Sequence, residues 1–296
     1  MKLSVIIPVY NGEKTLMPLM ESLKNQSLES DRFEVLFIDN GSVDKTKQII
    51  ENSIKVNNGL NFIYKFFNDK KSSYSARNIG IKASNHQVLV FTDADCVPEK
   101  SWLSNIYEYY LRNPQDIIIS GKVDLQISDQ KNMWEVFDKN SNMQNENKIK
   151  NQSAATANLS VPKRAFHDVG FFLDVTSGGD IEWTQRASKT GYTLVYNSEV
   201  IVNHPCRKSY NEIKIKLERH AFGYGEKVIK ENKSVLIGTL KQFFRIFYIV
   251  TNFRISRQLY GNIGFQNLVL FNIYFQIIRG YQFISFIKGV KSAKQN

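Results

Sequence analysis

Asp93 and Asp95 stand two residues apart, directly after the apolar run Val88-Leu89-Val90-Phe91-Thr92. In an extended chain alternate side chains share a face, so this spacing predicts two carboxylates projecting together. Neighbouring carboxylates repel unless a cation lies between them. A hard divalent ion with oxygen ligands, Mg²⁺ or Mn²⁺, fills that role and also binds substrate phosphates. Such an ion neutralises charge developing on a departing diphosphate. The plainer alternative is a solvated, aspartate-rich turn. A second chemical signal is Ser177-Gly178-Gly179-Asp180-Ile181-Glu182-Trp183. An aspartate at a glycine-rich helix start is exposed enough to take a proton from a bound hydroxyl, or it simply caps the helix.

These residues need elements to hold them. Residues 3–9 and 33–38 are short β-branched or aromatic runs, as in strands buried on both faces. Residues 60–66 and 87–92 complete a set of four strands. Helical patterns lie between them: Leu16, Leu19, Met20 and Leu23; then Ser42 to Ile54; then Tyr74 to Ala83. This alternation predicts a parallel, doubly wound sheet with its ligand site at the carboxyl ends of the strands. On that frame Asp39 ends a buried strand, where it serves a ligand or caps the turn before Ser42. Arg77 sits among Ser75, Ala76 and Gly80, which suits close approach to a phosphate. Further along, residues 117–127 read as a strand, 134–147 as a polar helix or loop, 179–189 as a helix and 193–203 as β-rich. Residues 210–230 read as a basic helix.

Four motifs in order then resemble glycosyltransferase family 2. They are Ser4-Val5-Ile6-Ile7-Pro8-Val9-Tyr10-Asn11, Phe37-Ile38-Asp39-Asn40-Gly41-Ser42-Val43-Asp44, Ser75-Ala76-Arg77-Asn78-Ile79-Gly80 and Thr92-Asp93-Ala94-Asp95. The resemblance spans roughly residues 3 to 225. It implies the GT-A fold of nucleotide-diphospho-sugar transferases, an α/β architecture with a Rossmann-like mixed sheet. It also implies inverting transfer from a nucleotide sugar, most often UDP-linked. By this resemblance Pro8, Tyr10 and Asn11 line the nucleotide pocket and Asp39 bonds the base. Arg77 lies near the base and phosphates, Asp93 near the ribose, and Asp95 on the metal. Asp180 matches the family's catalytic base, although Gly179 replaces the glutamate that usually precedes it. Glu182 orients the acceptor or the base. Trp183 is an acceptor platform or a packing residue. His204, in Val202-Asn203-His204-Pro205, contacts the metal or diphosphate in similar enzymes, or is structural. Thr156-Ala157-Asn158-Leu159 matches a stretch lining the acceptor side.

The charge is unevenly placed. Residues 1–204 are nearly neutral, whereas the 65 residues after Glu231 carry nine basic groups and no acid, with 13 aromatic side chains. This divides the chain into a catalytic domain, 1–230, and a basic aromatic tail, 231–296. Two segments of the tail are apolar at helical spacing. One, Val235–Phe253, has Leu236, Ile237, Leu240, Phe243, Phe244, Phe247, Val250 and Phe253. The other, Phe265–Lys288, is interrupted by Asn272, Gln276, Arg279 and Gln282, which argues against a membrane span. Amphipathic helices resting through residues 235–288 on an anionic membrane surface fit this composition, as do helices packed internally. The implied partners are a nucleotide-sugar donor and a glycan or lipid-linked acceptor, at the cytoplasmic face of the membrane. No nucleic-acid module is recognisable. Cys96 and Cys206 make no disulfide framework, and the N-terminal apolar run reads as a strand, not an export signal. Two other readings stand beside the transferase. A sugar nucleotidyltransferase needs a glycine-rich basic loop after the first strand, poorly matched by Tyr10-Asn11-Gly12-Glu13-Lys14. A membrane- or nucleic-acid-binding protein leaves Asp93, Asp95 and Asp180 without a joint purpose.

Overall fold

The computed structural model describes residues 1–56, 59–68, 72–113, 116–141, 145–246 and 253–295. They form two compact units. The first comprises Met1–Asp124, Gln144–Asp174 and Gly179–His204; the second comprises Leu125–Met143, Val175–Gly178 and Pro205–Asn296. Residues 205–230, grouped above with the catalytic domain, therefore pack within the second unit.

The strands are β1 (Leu3–Val9), β2 (Phe33–Asp39), β3 (Asn61–Phe66), β4 (Val88–Thr92), β5 (Val97–Pro98), β6 (Ile117–Gln126), β7 (Asn158–Pro162) and β8 (Thr193–Pro205). They make one sheet in the order β3-β2-β1-β4-β7-β6-β8-β5. The first four are parallel, with Leu3 facing both Phe33 and Val88. β4–β7, β7–β6 and β8–β5 are antiparallel. The sheet is therefore mixed, as the family resemblance implies, whereas strand–helix alternation accounts only for its parallel part. That alternation runs only through β4, and nothing local announces the direction of a strand added 66 residues later. β2 and β4 are buried along their whole length, as central parallel strands must be. Glu34 is a charged residue inside buried β2, and its carboxylate is satisfied. Burial pushes its carboxyl up, but hydrogen bonds from Ser4 Oγ (2.6 Å) and Asn85 (2.7 and 2.8 Å) outweigh this and hold it lower.

The helices are α1 (Leu16–Lys24), α2 (Thr46–Val56), α3 (Ser73–Ala83), α4 (Trp102–Arg112), α5 (Met133–Ser141), α6 (Asn145–Ile149), α7 (Arg164–Val169), α8 (Gly179–Lys189), α9 (Tyr210–Lys230), α10 (Val235–Ile246) and α11 (Phe253–Gln295). Of these, α3 matters most for the site. Ser72 caps it by accepting from the backbone N–H groups of Tyr74 and Ser75. Gly80 seats it against the sheet, because a Cβ there would stand 2.4 Å from Ile6 Cγ2.

In the second unit, α5, α9 and α11 share a core of Trp134, Phe137, Ile213, Leu217, Phe271 and Ile278. Asp138 on α5 is fully buried, salt-bridged by Lys216 (2.5 Å) and Arg207 (3.2 Å). Burial raises its carboxyl, and the two cations overcome that and hold it low. A capping box, Ser209 with Glu212, starts α9. Helix α11 is broken at Gly264, whose φ is 77°. Beyond the break it is apolar on two faces. Phe271, Ile278, Phe286 and Val290 are buried, while Val269, Leu270, Ile273, Ile277 and Ile284 are 42–54% exposed. On α10 the apolar side chains Leu236, Ile237, Leu240, Phe243 and Phe244 are likewise exposed. Phe247 and Val250 lie outside the described residues. Among the described residues no helix is long and apolar enough to cross a membrane.

Candidate active site

The parallel strands deliver their loops to one end of the sheet, and α3 ties those loops together. Arg77 is 3% exposed and its guanidinium is ion-paired with the Asp93 carboxylate. Its Cζ lies 5.5 Å from the centre of the Tyr74 ring, in cation–π range. One turn earlier, the Tyr74 hydroxyl donates to Asp180 Oδ1 at 2.9 Å. Asp93, Arg77, Tyr74 and Asp180 thus form one continuous chain of contacts. Ser75 donates to Asp174 Oδ1 (2.7 Å), and Asn78 exchanges two hydrogen bonds with the Phe172 backbone. The Ser-Ala-Arg-Asn motif is an anchoring device. Arg77, expected beside the base and phosphates, is enclosed and ion-paired with Asp93.

Asp180 opens α8. Oδ1 accepts from Tyr74 and from the Ile181 N–H (2.9 Å), and Oδ2 accepts from the Thr156 N–H (3.2 Å). A carboxylate offers about four lone-pair positions, so among the described residues one is left, on Oδ2. Burial, then the adjacent Asp180 charge, push the Tyr74 phenol well above its usual range, so it stays a donor. The replacement at Gly179 has a spatial reason. A Cβ there would meet the Tyr74 ring at 3.1 Å, closer than ordinary contact. Tyr74 and Gly179 are complementary, and sequence reasoning missed Tyr74 because nothing local links it to a residue 106 positions away. Half-buried Lys148 on α6 was also missed. Burial lowers its ammonium pKa, and the Asp180 charge works against that shift.

Asp93 and Asp95 do not share a face. β4 ends at Thr92, and the Cys96 N–H closes a turn onto the Asp93 carbonyl (3.1 Å). Asp93 turns to Arg77, while Asp95 Oδ2 lies 3.4 Å from His204 Nε2. The short β5–β8 ladder, pairing Val97 with Asn203, sets that approach. The ligand atoms of Asp95, Cys96 and His204 fall within 4.8 Å of one another. Burial, with the Asp93 and Asp95 charges added, pushes the Cys96 thiol well up, and a soft sulfur suits a hard ion such as Mg²⁺ or Mn²⁺ less well than carboxylate oxygen does. A half-exposed carboxylate and a buried imidazole remain. One carboxylate and one imidazole fall short of the four ligands of a closed structural zinc site and fit better a divalent ion that also takes substrate oxygens.

The loops after β1 and β2 latch to each other. Asn11 has a left-handed φ of 51°, its N–H donates to Ser42 Oγ (2.9 Å), and its Oδ1 accepts from the Val43 N–H (3.0 Å). Asp39 is buried and accepts from the Ser42 N–H (2.8 Å) and the Tyr64 hydroxyl (2.8 Å), so it caps the turn. Tyr10 is 51% exposed at the end of β1, near the half-buried Pro8. Glu182 is tied to Arg186 one turn on (2.9 Å). Trp183 corrects an expectation. It is fully buried, stacked on Phe166 at 4.4 Å, with Nε1 donating to the Gly170 carbonyl at 2.6 Å. It is a core residue and offers no platform to an acceptor. Asn158 is equally enclosed, accepting from Trp102 Nε1 and donating to the Lys122 and Val200 carbonyls.

A mixed sheet whose strand ends gather a carboxylate–imidazole pair and a multiply held aspartate is the GT-A architecture of sugar-transferring enzymes. Residues 4–170 match the family model described as Glycosyl transferase family 2, and the chain belongs to that family. It is 34% identical over 206 residues to the glycosyltransferase AglE of Haloferax volcanii, a match covering 69% of this chain and 67% of AglE. Two solved structures share the fold at 16% identity. Staphylococcus aureus TarS 1-349 in complex with UDP-GlcNAc has a TM-score of 0.57, covering 100% of this chain and 92% of that one. The mannosyltransferase PcManGT of Pyrobaculum calidifontis, in complex with GDP-Man and Mn²⁺, has a TM-score of 0.62, covering 98% and 87%.

Proposed function

We propose that the protein is an inverting glycosyltransferase moving a sugar from a nucleotide diphosphate donor, a UDP-sugar, to an acceptor hydroxyl. The observation that carries this reading is the Asp180 carboxylate, fixed by three donors with one lone-pair position left. In this reading Asp180 takes the acceptor's proton as that oxygen attacks the anomeric carbon opposite the departing diphosphate, inverting its configuration. Pro8, Tyr10, Asn11 and Asp39 shape the nucleotide pocket, and Arg77 holds Asp93 toward the ribose. Asp95 and His204 hold a divalent ion, which when bound neutralises charge on the leaving diphosphate. The imidazole favours Mn²⁺ over Mg²⁺, because Mg²⁺ prefers oxygen ligands throughout. PcManGT, in complex with GDP-Man and Mn²⁺, supports the metal, and TarS, in complex with UDP-GlcNAc, supports the uridine donor. Glu182, through Arg186, steadies the helix that carries the base.

In the same reading residues 1–230 carry transfer and 231–296 meet the membrane. The exposed apolar faces of α10 and α11, in a segment with basic groups and no acid, suit an anionic cytoplasmic membrane surface and a lipid-linked or glycan acceptor in polysaccharide or glycolipid assembly. The test is calorimetric titration of the protein with UDP, GDP and their sugars, with and without Mn²⁺. Metal-dependent binding of one nucleotide is the expected outcome. Silence across the panel from folded protein rules the donor assignment out. Flotation with anionic vesicles tests the membrane contact separately, and unbound protein there rejects it.

A further inference from the structure

A cavity of about 880 Å³ opens at the end of the sheet away from the site just described. Its wall includes Val88, where β4 begins, and Pro162, which pairs with Val88 where β7 ends. Thr92, the site end of β4, is four residues away, roughly 13 Å along the strand. The volume is that of a small-molecule pocket, about 300–1000 Å³. Ile81, Tyr110, Leu111, Pro162, Phe166 and Phe171 make much of the lining apolar.

The charged groups on this lining are all of one sign. Lys82, Lys163 and Arg164 contribute three cations, and no carboxylate lines the cavity among the described residues. Asp116 offsets one of them by pairing with Arg164 at 2.5 Å. Lys82 Nζ lies 5.2 Å over the Phe171 ring, and Lys163 Nζ donates to the Ser84 carbonyl at 2.5 Å. Two histidines complete the rim. Burial pushes His86 down, Glu34 pulls it up, and Lys2 and Lys163 push it down again, leaving it neutral at pH 7. His167 is exposed and contacts Asp168. An apolar hollow walled by Lys82, Lys163 and Arg164, with Asp116 beside Arg164, Asp168 beside His167 and Glu34 beside Asn85, keeps its cations on the lining and its carboxylates behind it. It so matches a phosphate joined to a hydrocarbon chain, since ammonium and guanidinium groups both suit phosphate.

We propose that this cavity binds one anionic lipid, its chain inside the apolar hollow and its phosphate on Lys82, Lys163 and Arg164. The site is separate from sugar transfer and does not depend on that assignment. The probe is n-dodecyl phosphate below its micelle concentration, titrated calorimetrically into the full chain, with n-dodecanol and inorganic phosphate as partial ligands. Dodecyl phosphate is expected to bind saturably. Each partial ligand should bind at least about tenfold more weakly, because each lacks one half of the recognition. The double variant Lys82→Glu with Arg164→Glu should weaken dodecyl phosphate at least about tenfold by reversing two charges. It should leave nucleotide titration unchanged, which also reports folding. Leu111→Trp, at a 59% exposed position, narrows the cavity and should weaken binding without a charge change. Absence of saturable binding overturns the proposal. So does dodecanol binding as tightly as the phosphate, or uptake that persists in both variants, which places the amphiphile on another apolar surface.

Discussion

Replacing Tyr74 by phenylalanine removes one oxygen atom and little else. The ring stays, so its packing against Gly179 and its stacking under Arg77 are retained. What disappears is the 2.9 Å hydrogen bond to Asp180 Oδ1, leaving that carboxylate with two backbone donors, Ile181 and Thr156. A hydrogen bond to a charged group contributes about 1.5–3 kcal/mol. With Asp180 as the proposed base held in its productive orientation by that energy, its loss appears in the chemical step. At about 1.4 kcal/mol per tenfold, kcat falls roughly 10- to 100-fold. Donor affinity should stay within about twofold, because the loss touches only Asp180, the proposed base. The assay is steady-state transfer with the donor's Kd measured in parallel by titration. A kcat within about twofold of wild type refutes the positioning argument. So does a parallel fall in kcat and donor affinity, which would indicate disruption of the Arg77–Asp93 side instead.

Asp95→Ala should abolish the metal-dependent part of donor binding while leaving the melting temperature near wild type, since its side chain is 39% exposed; calorimetry with and without Mn²⁺ checks this. Gly179→Ala forces a methyl to 3.1 Å from the Tyr74 ring and should cost about 1–3 kcal/mol in urea unfolding, with kcat reduced as the ring shifts. Asp138→Ala strips Lys216 and Arg207 of a buried counter-charge and should cost about 3–5 kcal/mol at pH 7. The wild-type contribution has a defined pH sign. The folded carboxyl lies below its unfolded value of about 3.9, so its stabilisation is fully present above that value and is lost as pH falls through the folded one. Denaturant midpoints should therefore decline more steeply below about pH 4 in wild type than in Asp138→Ala, and equal slopes would remove the ion cluster as the cause.

Much of the first unit is written locally. The runs at 3–9, 33–38 and 87–92 carry apolar side chains on both alternating faces, broken by single polar residues such as Ser4 and Glu34, which suits strands covered on both faces. Turn and cap residues between them make strand–helix alternation readable without a partner in view. The placement of Asp95 and Asp180, though not their roles, was equally legible, because a carboxylate just past a buried strand, or just inside a glycine-rich helix start, sits where backbone direction alone leaves it near solvent.

The tertiary structure decided what depends on neighbours remote in the chain. Asp93 and Asp95 part company because a turn begins at Asp93, with a buried arginine on one side and His204, carried in by the β5–β8 ladder, on the other. Tyr74 joins Asp180 only because α3 seats against the sheet at Gly80 and α8 begins with a glycine. Trp183 reads as a platform or a core residue until Phe166 is placed against it. The tail shows the same division. Periodicity identifies its apolar positions, but a helix apolar on two faces does not say which one its neighbours cover. Packing against α5 and α9 buries Phe271, Ile278 and Phe286 and leaves Ile273, Ile277 and Ile284 bare. A pattern along one helix records hydrophobicity by position, whereas burial belongs to the surfaces that meet there.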